Sequence, residues 1–177
     1  MLGYMSRLRR LVLCDRFFFV TCRMHRLRGE LNEAERSVLA QAIRGRREAQ
    51  RFLLTARVLL PDHWHAIIFP RCPLTLSRVM ESIKVSATRL SNRDRGERGV
   101  LLQGRFFDRA LRTVKEYNEK VEYIHFNAVA AGLVRQPEDW QWSSVHDYAG
   151  GVNGPPGKAS PIPVDRILMP SDERTRI

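Results

Sequence analysis

The sequence predicts an α+β fold: an antiparallel sheet of four to five strands with helices on its face or faces, followed by a C-terminal tail. Three observations lead there. Short runs rich in aromatic and β-branched residues alternate with amphipathic stretches of helical period. Two of those stretches open on capping-box pairs, Asn32 with Glu35 and Thr113 with Glu116. A Pro61-Asp62 turn separates two adjacent apolar runs and makes them a hairpin. The resulting order is βαββαβ with one more helix.

Each element has its own signal. Arg16–Arg23 (RFFFVTCR) reads as the first strand. Leu31, Ala34, Val38, Leu39, Ala42 and Ile43 recur at helical spacing and carry a helix to about Gln50. Phe52–Leu60 and His63–Phe69 are the hairpin strands. Thr75 caps a second helix with Leu76, Val79, Met80, Ile83, Ala87 and Leu90 as its apolar stripe. Ser91–Gly99 is polar and charged and reads as a loop. A short extended segment surrounds Arg105-Phe106-Phe107. The third helix follows Thr113 and closes at Gly132. Residues 1–149 form the expected domain, and 150–177 a Gly/Pro-rich linker with an irregular tail.

The chain has 177 residues, of which 44% are apolar, enough for one domain with a real core. Lys+Arg number 30 against 19 Asp+Glu, a net charge of +11, and 26 of those cations are Arg. This excludes an acidic or weakly apolar disordered chain and leaves nucleic acid, anionic lipid or acidic protein as partners. No run approaches a membrane span, so no membrane partner is expected. Cys14, Cys22 and Cys72 are odd in number and lack CxxC spacing, which points to reduced thiols and a cytoplasmic protein.

The sharpest motif is Pro61-Asp62-His63-Trp64-His65. Residues i and i+2 of a strand share a face, so His63 and His65 present two imidazoles together while Trp64 points into packing. On the third helix, Tyr123 and Asn127 are one turn apart on one face. Two histidines and an amide oxygen suit a hard divalent ion, Mg²⁺ or Mn²⁺, whereas zinc would prefer another His, Cys or carboxylate. On spacing alone, two unremarkable histidines, a half-buried tyrosine and a helix-end asparagine explain the same residues.

Leu59–His65 resembles the histidine–hydrophobe–histidine signature of the single-tyrosine HUH transposases. Tyr123–Val134 (YIHFNAVAAGLV) and Trp140–Tyr148 (WQWSSVHDY) resemble one branch of these, the REP-associated tyrosine transposases. Arg105–Asp108 and Phe18–Thr21 are weaker matches in the right order, so the likeness spans about residues 16–148. It implies the ferredoxin/RRM-like βαββαβ core of HUH endonucleases. It also implies a metal-dependent single-stranded DNA endonuclease and strand transferase acting at palindromic hairpin repeats. Tyr123 maps to the nucleophile, His63 and His65 to metal ligands, and Asn127 to a third ligand. Two positions depart from the family pattern: Ala128 stands where the family usually has Pro, and Arg109 where it often has His.

The candidate DNA-contacting cations are Arg16, Arg78, Lys84, Arg105, Arg109 and Arg112. Phe106 or Phe107 would stack a base, and strand alternation allows only one of them to do so. His125 points to a different helix face from Tyr123 and reads as packing, as do Trp140 and Trp142. Tyr117 is off the Tyr123 face, and Tyr4 and Tyr148 lie outside the helix motif. The alternatives are a catalytically weak hairpin-binding protein on the same fold, an RNA-binding βαββαβ domain, and a metal hydrolase that forms no covalent adduct. Monomer and homodimer both fit the sequence.

Overall fold

A computed structural model describes residues 14–149 and 160–177. Four strands form one antiparallel sheet: β1 (Phe18–Arg23), β2 (Leu53–Leu59), β3 (His63–Phe69) and β4 (Phe107–Ala110). Their spatial order is β2-β3-β1-β4. Helices α1 (Glu33–Gln50) and α2 (Leu76–Arg95) join β1 to β2 and β3 to β4, and α3 (Val114–Ala130) follows β4. This is the expected α+β architecture, with four strands.

The strand period assigns the faces. Phe18, Val20 and Cys22 of β1, with Trp64, Ala66 and Ile68 of β3, pack under α1 and α2. Phe17, Phe19 and Ile67 face the other way, against Tyr117, Ile124 and Ala128 of α3. Helices therefore cover both faces of the sheet. A β-bulge between Leu54 and Ala56 shifts the β2 register by one residue. Leu54 consequently faces α1 and α2, while Ala56 and Val58 face α3.

The caps decide where helices start and stop. Asn32 and Glu35 exchange bonds of 2.9 and 2.9 Å, a complete capping box. At α3 the box is half-made: Thr113 accepts the Glu116 N–H at 3.2 Å, but the Glu116 carboxylate turns to the Arg112 N–H at 2.8 Å. Helix α2 continues through Ser91–Arg95, where composition predicted a loop. Ser91 is buried, and Arg95 bonds Glu35 in the first turn of α1, so this last turn is held by tertiary contact. Gly96 then ends the helix at φ 64°, a left-handed geometry that costs glycine little. Gln50 bonds Ser82 at 2.8 Å, so α1 and α2 run antiparallel.

The expected linker at 150–159 lies outside the described residues, and residues 160–177, which form no helix or strand, pack on the core. Asp165 takes both Arg47 (2.6 and 3.0 Å) and the Leu54 N–H (2.9 Å), and Ile162 is buried. Cys14 and Cys72 are joined by a disulfide, correcting the expectation of unpaired thiols. They lie 58 positions apart, and their Cα atoms meet at 5.2 Å only because the entry to β1 and the segment after β3 are neighbours in the fold. Cys22 is free and buried. Among the described residues, no helix is long and apolar enough to cross a membrane.

Candidate active site

Strand β3 carries His63 and His65 on the face that looks toward α3, with Trp64 fully buried on the opposite face. The two Nε2 atoms are 3.1 Å apart. Each ring is fixed from behind. Asp62 Oδ1 lies 2.5 Å from His63 Nδ1, and Thr21 Oγ1 lies 2.8 Å from His65 Nδ1. A carboxylate only accepts, so neutral His63 keeps its proton on Nδ1 and turns the Nε2 lone pair inward. Thr21 is the cross-strand partner of His65, which explains its reach. His65 is 4% exposed, and burial, with His63 next in effect, lowers its pKa to about 3. It is therefore uncharged at neutral pH and available as a ligand.

Helix α3 lays Tyr123 over this pair. The ring is 45% exposed and stands edge-on to His65 at 5.3 Å and to Phe19 at 5.7 Å. Lys120, one turn earlier, holds its ammonium 5.0 Å from the Tyr123 ring and 4.9 Å from Phe19. Asn127, one turn later on the same helix, is 9% exposed. The helix runs unbroken through Ala128, which is buried among Ile67, Ile124 and their neighbours. Alanine at that position leaves Asn127 within the regular helix.

The other candidates are sorted by burial. His125 is buried, its Nε2 lies 3.1 Å from Ser144 Oγ, and burial followed by Arg57 lowers its pKa to about 4. It is a packing residue. Tyr117 is 3% exposed, and Tyr148 donates its hydroxyl to the Thr55 carbonyl at 2.5 Å. Neither presents a free hydroxyl as Tyr123 does. Tyr4 lies outside the described residues. Trp140 donates Nε1–H to the Leu59 carbonyl at 2.9 Å, and Trp142 is buried.

The chain is 31% identical over 150 residues to the REP-associated tyrosine transposase of Escherichia coli (strain K12), spanning 84% of this chain and 88% of that protein. It belongs to the REP-associated tyrosine transposase family. A solved structure of a REP-associated tyrosine transposase bound to a REP hairpin matches 93% of this chain and 100% of its own, with TM-score 0.72 and 28% identity. No family model matches the chain.

In this transposase-family chain the expected cations separate into groups. Arg109 pairs with Phe19 in the strand register, so it shares the face of the histidines, and it contacts Glu116 at 3.2 Å. Arg16 and Arg112 line one cleft of about 660 Å³ beside Glu116 and the chain end at Ile177. Arg105 is exposed just before β4. Arg78 and Lys84 lie on α2, across the sheet from Tyr123. Lys84 donates to the Gly104 carbonyl at 2.6 Å and sits over Phe106 at 5.3 Å. The phenylalanines divide as alternation requires. Phe106 packs on the α1/α2 core, while Phe107 pairs with Thr21, faces the site and is 58% exposed.

Sequence reasoning did not single out Thr21, Asp62, Phe19 or Lys120 as site residues. Lys120 had a signal, since it precedes Tyr123 by three residues and so shares its helix face. Asp62 adjoins His63. Thr21 and Phe19 fell within the Phe18–Thr21 match, but their individual roles depend on strand register.

Proposed function

We propose that the chain is a metal-dependent single-stranded DNA endonuclease and strand transferase, acting at palindromic hairpin repeats through a covalent 5′-phosphotyrosine. The observation that carries it is an exposed tyrosine edge-on to His65, one of two back-tethered imidazoles whose Nε2 atoms converge. The donor set fits a small divalent cation. Its two Nε2 atoms, 3.1 Å apart, are close enough for both to contact one such ion. His63 and His65 would hold Mg²⁺ or Mn²⁺, with Asn127 as third ligand. Such an ion supplies charge stabilisation for the scissile phosphate.

The chain's own residues do the rest. Tyr123 Oη attacks phosphorus; the O–P bond to tyrosine forms as the bond to the 3′ oxygen breaks. The phenolic proton leaves to solvent, and the 3′ oxygen departs as a hydroxyl. The number of phosphodiester linkages is conserved, so rejoining by a 3′-OH needs no nucleotide triphosphate. Lys120 beside the Tyr123 ring and Arg109 on the histidine face would neutralise flanking phosphates, with Arg112 next along the chain. Phe107 offers a ring on which an unpaired base would stack. The family relative bound to a REP hairpin supports a folded single strand as the partner.

The test is a labelled single-stranded hairpin oligonucleotide incubated with Mn²⁺ and resolved under denaturing conditions. An SDS-stable adduct is expected from the wild type and none from Tyr123→Phe. An adduct surviving that substitution would place the nucleophile elsewhere. Binding without any adduct from wild type would leave a catalytically weak hairpin-binding protein.

A further inference from the structure

We propose that the groove between α1 and α2 is a second nucleic-acid site, which takes the sugar–phosphate backbone of duplex DNA. The inference rests on the hairpin reading above and adds a location for the paired stem. The groove lies across the sheet from Tyr123 and measures about 480 Å³. Arg46, Arg78, Arg89, Gln50, Ser82 and Ser86 line it. Its one acid, Glu81, contacts Arg78 at 3.2 Å, and both side chains are largely exposed. Three guanidiniums against one carboxylate leave the groove positive.

Several arginines around these helices are already engaged. Arg47 holds Asp165, Arg95 holds Glu35, Arg28 holds Glu97, and Arg36 bonds the Leu31 carbonyl. Arg46 and Arg89 form no ion pair among the described residues. Arg46 Nε is buried and has no hydrogen-bond acceptor among them. The rest of its guanidinium bonds no described residue either, and a phosphate oxygen is an acceptor that planar fork fits. Along α2, Arg78 and Arg89 are eleven residues apart, about 16 Å at the helical rise. That is roughly five phosphates of one strand by axial spacing.

The two faces differ in a way that assigns the occupant. The Tyr123 face exposes Phe107 and Tyr123, aromatic surface beside which unpaired bases can stack. Among the described residues, no aromatic side chain lines the α1/α2 groove. A single strand would find cations there but nothing to stack on. A duplex stacks its base faces away and offers a rigid phosphate track, which arginine, serine and glutamine side chains can grip without any aromatic platform. The hairpin would therefore touch both faces, unpaired flank on one and stem on the other.

The test compares the full chain with the Arg46→Gln/Arg89→Gln double variant by fluorescence anisotropy. One probe is a hairpin with a duplex stem and a single-stranded flank; the other is the flank alone. Hairpin affinity is expected to fall about tenfold, and its log–log salt slope to flatten by about two, the two phosphate contacts removed. Flank affinity is expected to change less than twofold. An Arg26→Gln/Arg174→Gln variant controls for net charge and should leave both affinities within twofold. Circular dichroism checks the fold of each variant. Unchanged hairpin binding, or equal losses on both probes by a folded variant, would overturn the groove assignment. Wild-type chain that binds neither probe would overturn the hairpin reading and the groove with it. A hairpin-selective loss in a chain that forms no adduct would uphold the groove and remove the cleavage reading.

Discussion

Thr21→Val is the substitution that asks most of the site. Valine keeps the β-branched shape that β1 favours and removes only the hydroxyl. That hydroxyl is 2.8 Å from His65 Nδ1, on a ring that is almost wholly buried. Two effects follow. The imidazole nitrogen loses its partner in a dry environment, which costs about 1–3 kcal/mol of folding stability. The ring also loses the tether that aims Nε2 at His63. Loss of such a partner behind a ligating histidine costs about 10–100-fold in metal affinity, or roughly 1.4–2.7 kcal/mol. Isothermal titration with Mn²⁺ reads the second effect and urea unfolding in EDTA reads the first. Thr21→Ser, which restores the hydroxyl, should recover most of the metal affinity. A lower urea midpoint with unchanged Mn²⁺ affinity would refute the positioning role and leave Thr21 as ordinary packing.

Other expectations follow from the same geometry. Phe107→Ala should weaken binding of an unpaired strand by about 1–3 kcal/mol with little change in unfolding midpoint, and Phe106→Ala should do the reverse, since only Phe106 is packed on the core. His65 and His125 have pKa values lowered from 6.5 to about 3 and about 4. The unfolded chain then binds more protons than the folded one below about pH 6.5, so stability is lost as pH falls toward 4, by about 1.4 kcal/mol per unit for each ring. Urea midpoints in EDTA at pH 7.5 and 5.5 measure this; a flat profile would contradict the burial of both histidines, and His125→Gln should roughly halve the slope. Asp165→Ala strips the Arg47 bidentate contact and the Leu54 N–H acceptor together, and should cost about 1–3 kcal/mol in urea unfolding.

Local physics was legible in the sequence where one element sufficed to express it. Strand alternation alone put His63 and His65 on one face and sent Trp64 to the other, and the structure has all three there. Helical period alone joined Tyr123 to Asn127. The Asn32 box, the Pro61-Asp62 turn and the β-strand and helix order were likewise written in neighbouring residues. What needed tertiary structure was every relation between elements. Helix α3 crosses to the second face of the sheet, which no residue of α3 announces by itself, and that crossing is what brings Tyr123 to His65. Register made Thr21 the tether of His65 and chose Phe107 over Phe106. A contact from Arg95 to Glu35 carried α2 past the point where polar composition suggested a loop. Chain folding also paired Cys14 with Cys72. The sequence by itself determined which side chains are chemically fit for the site, because period and residue type are local properties. Only the tertiary structure decided which of them meet, because distance between segments is set by packing and register, and neither is encoded within a single segment.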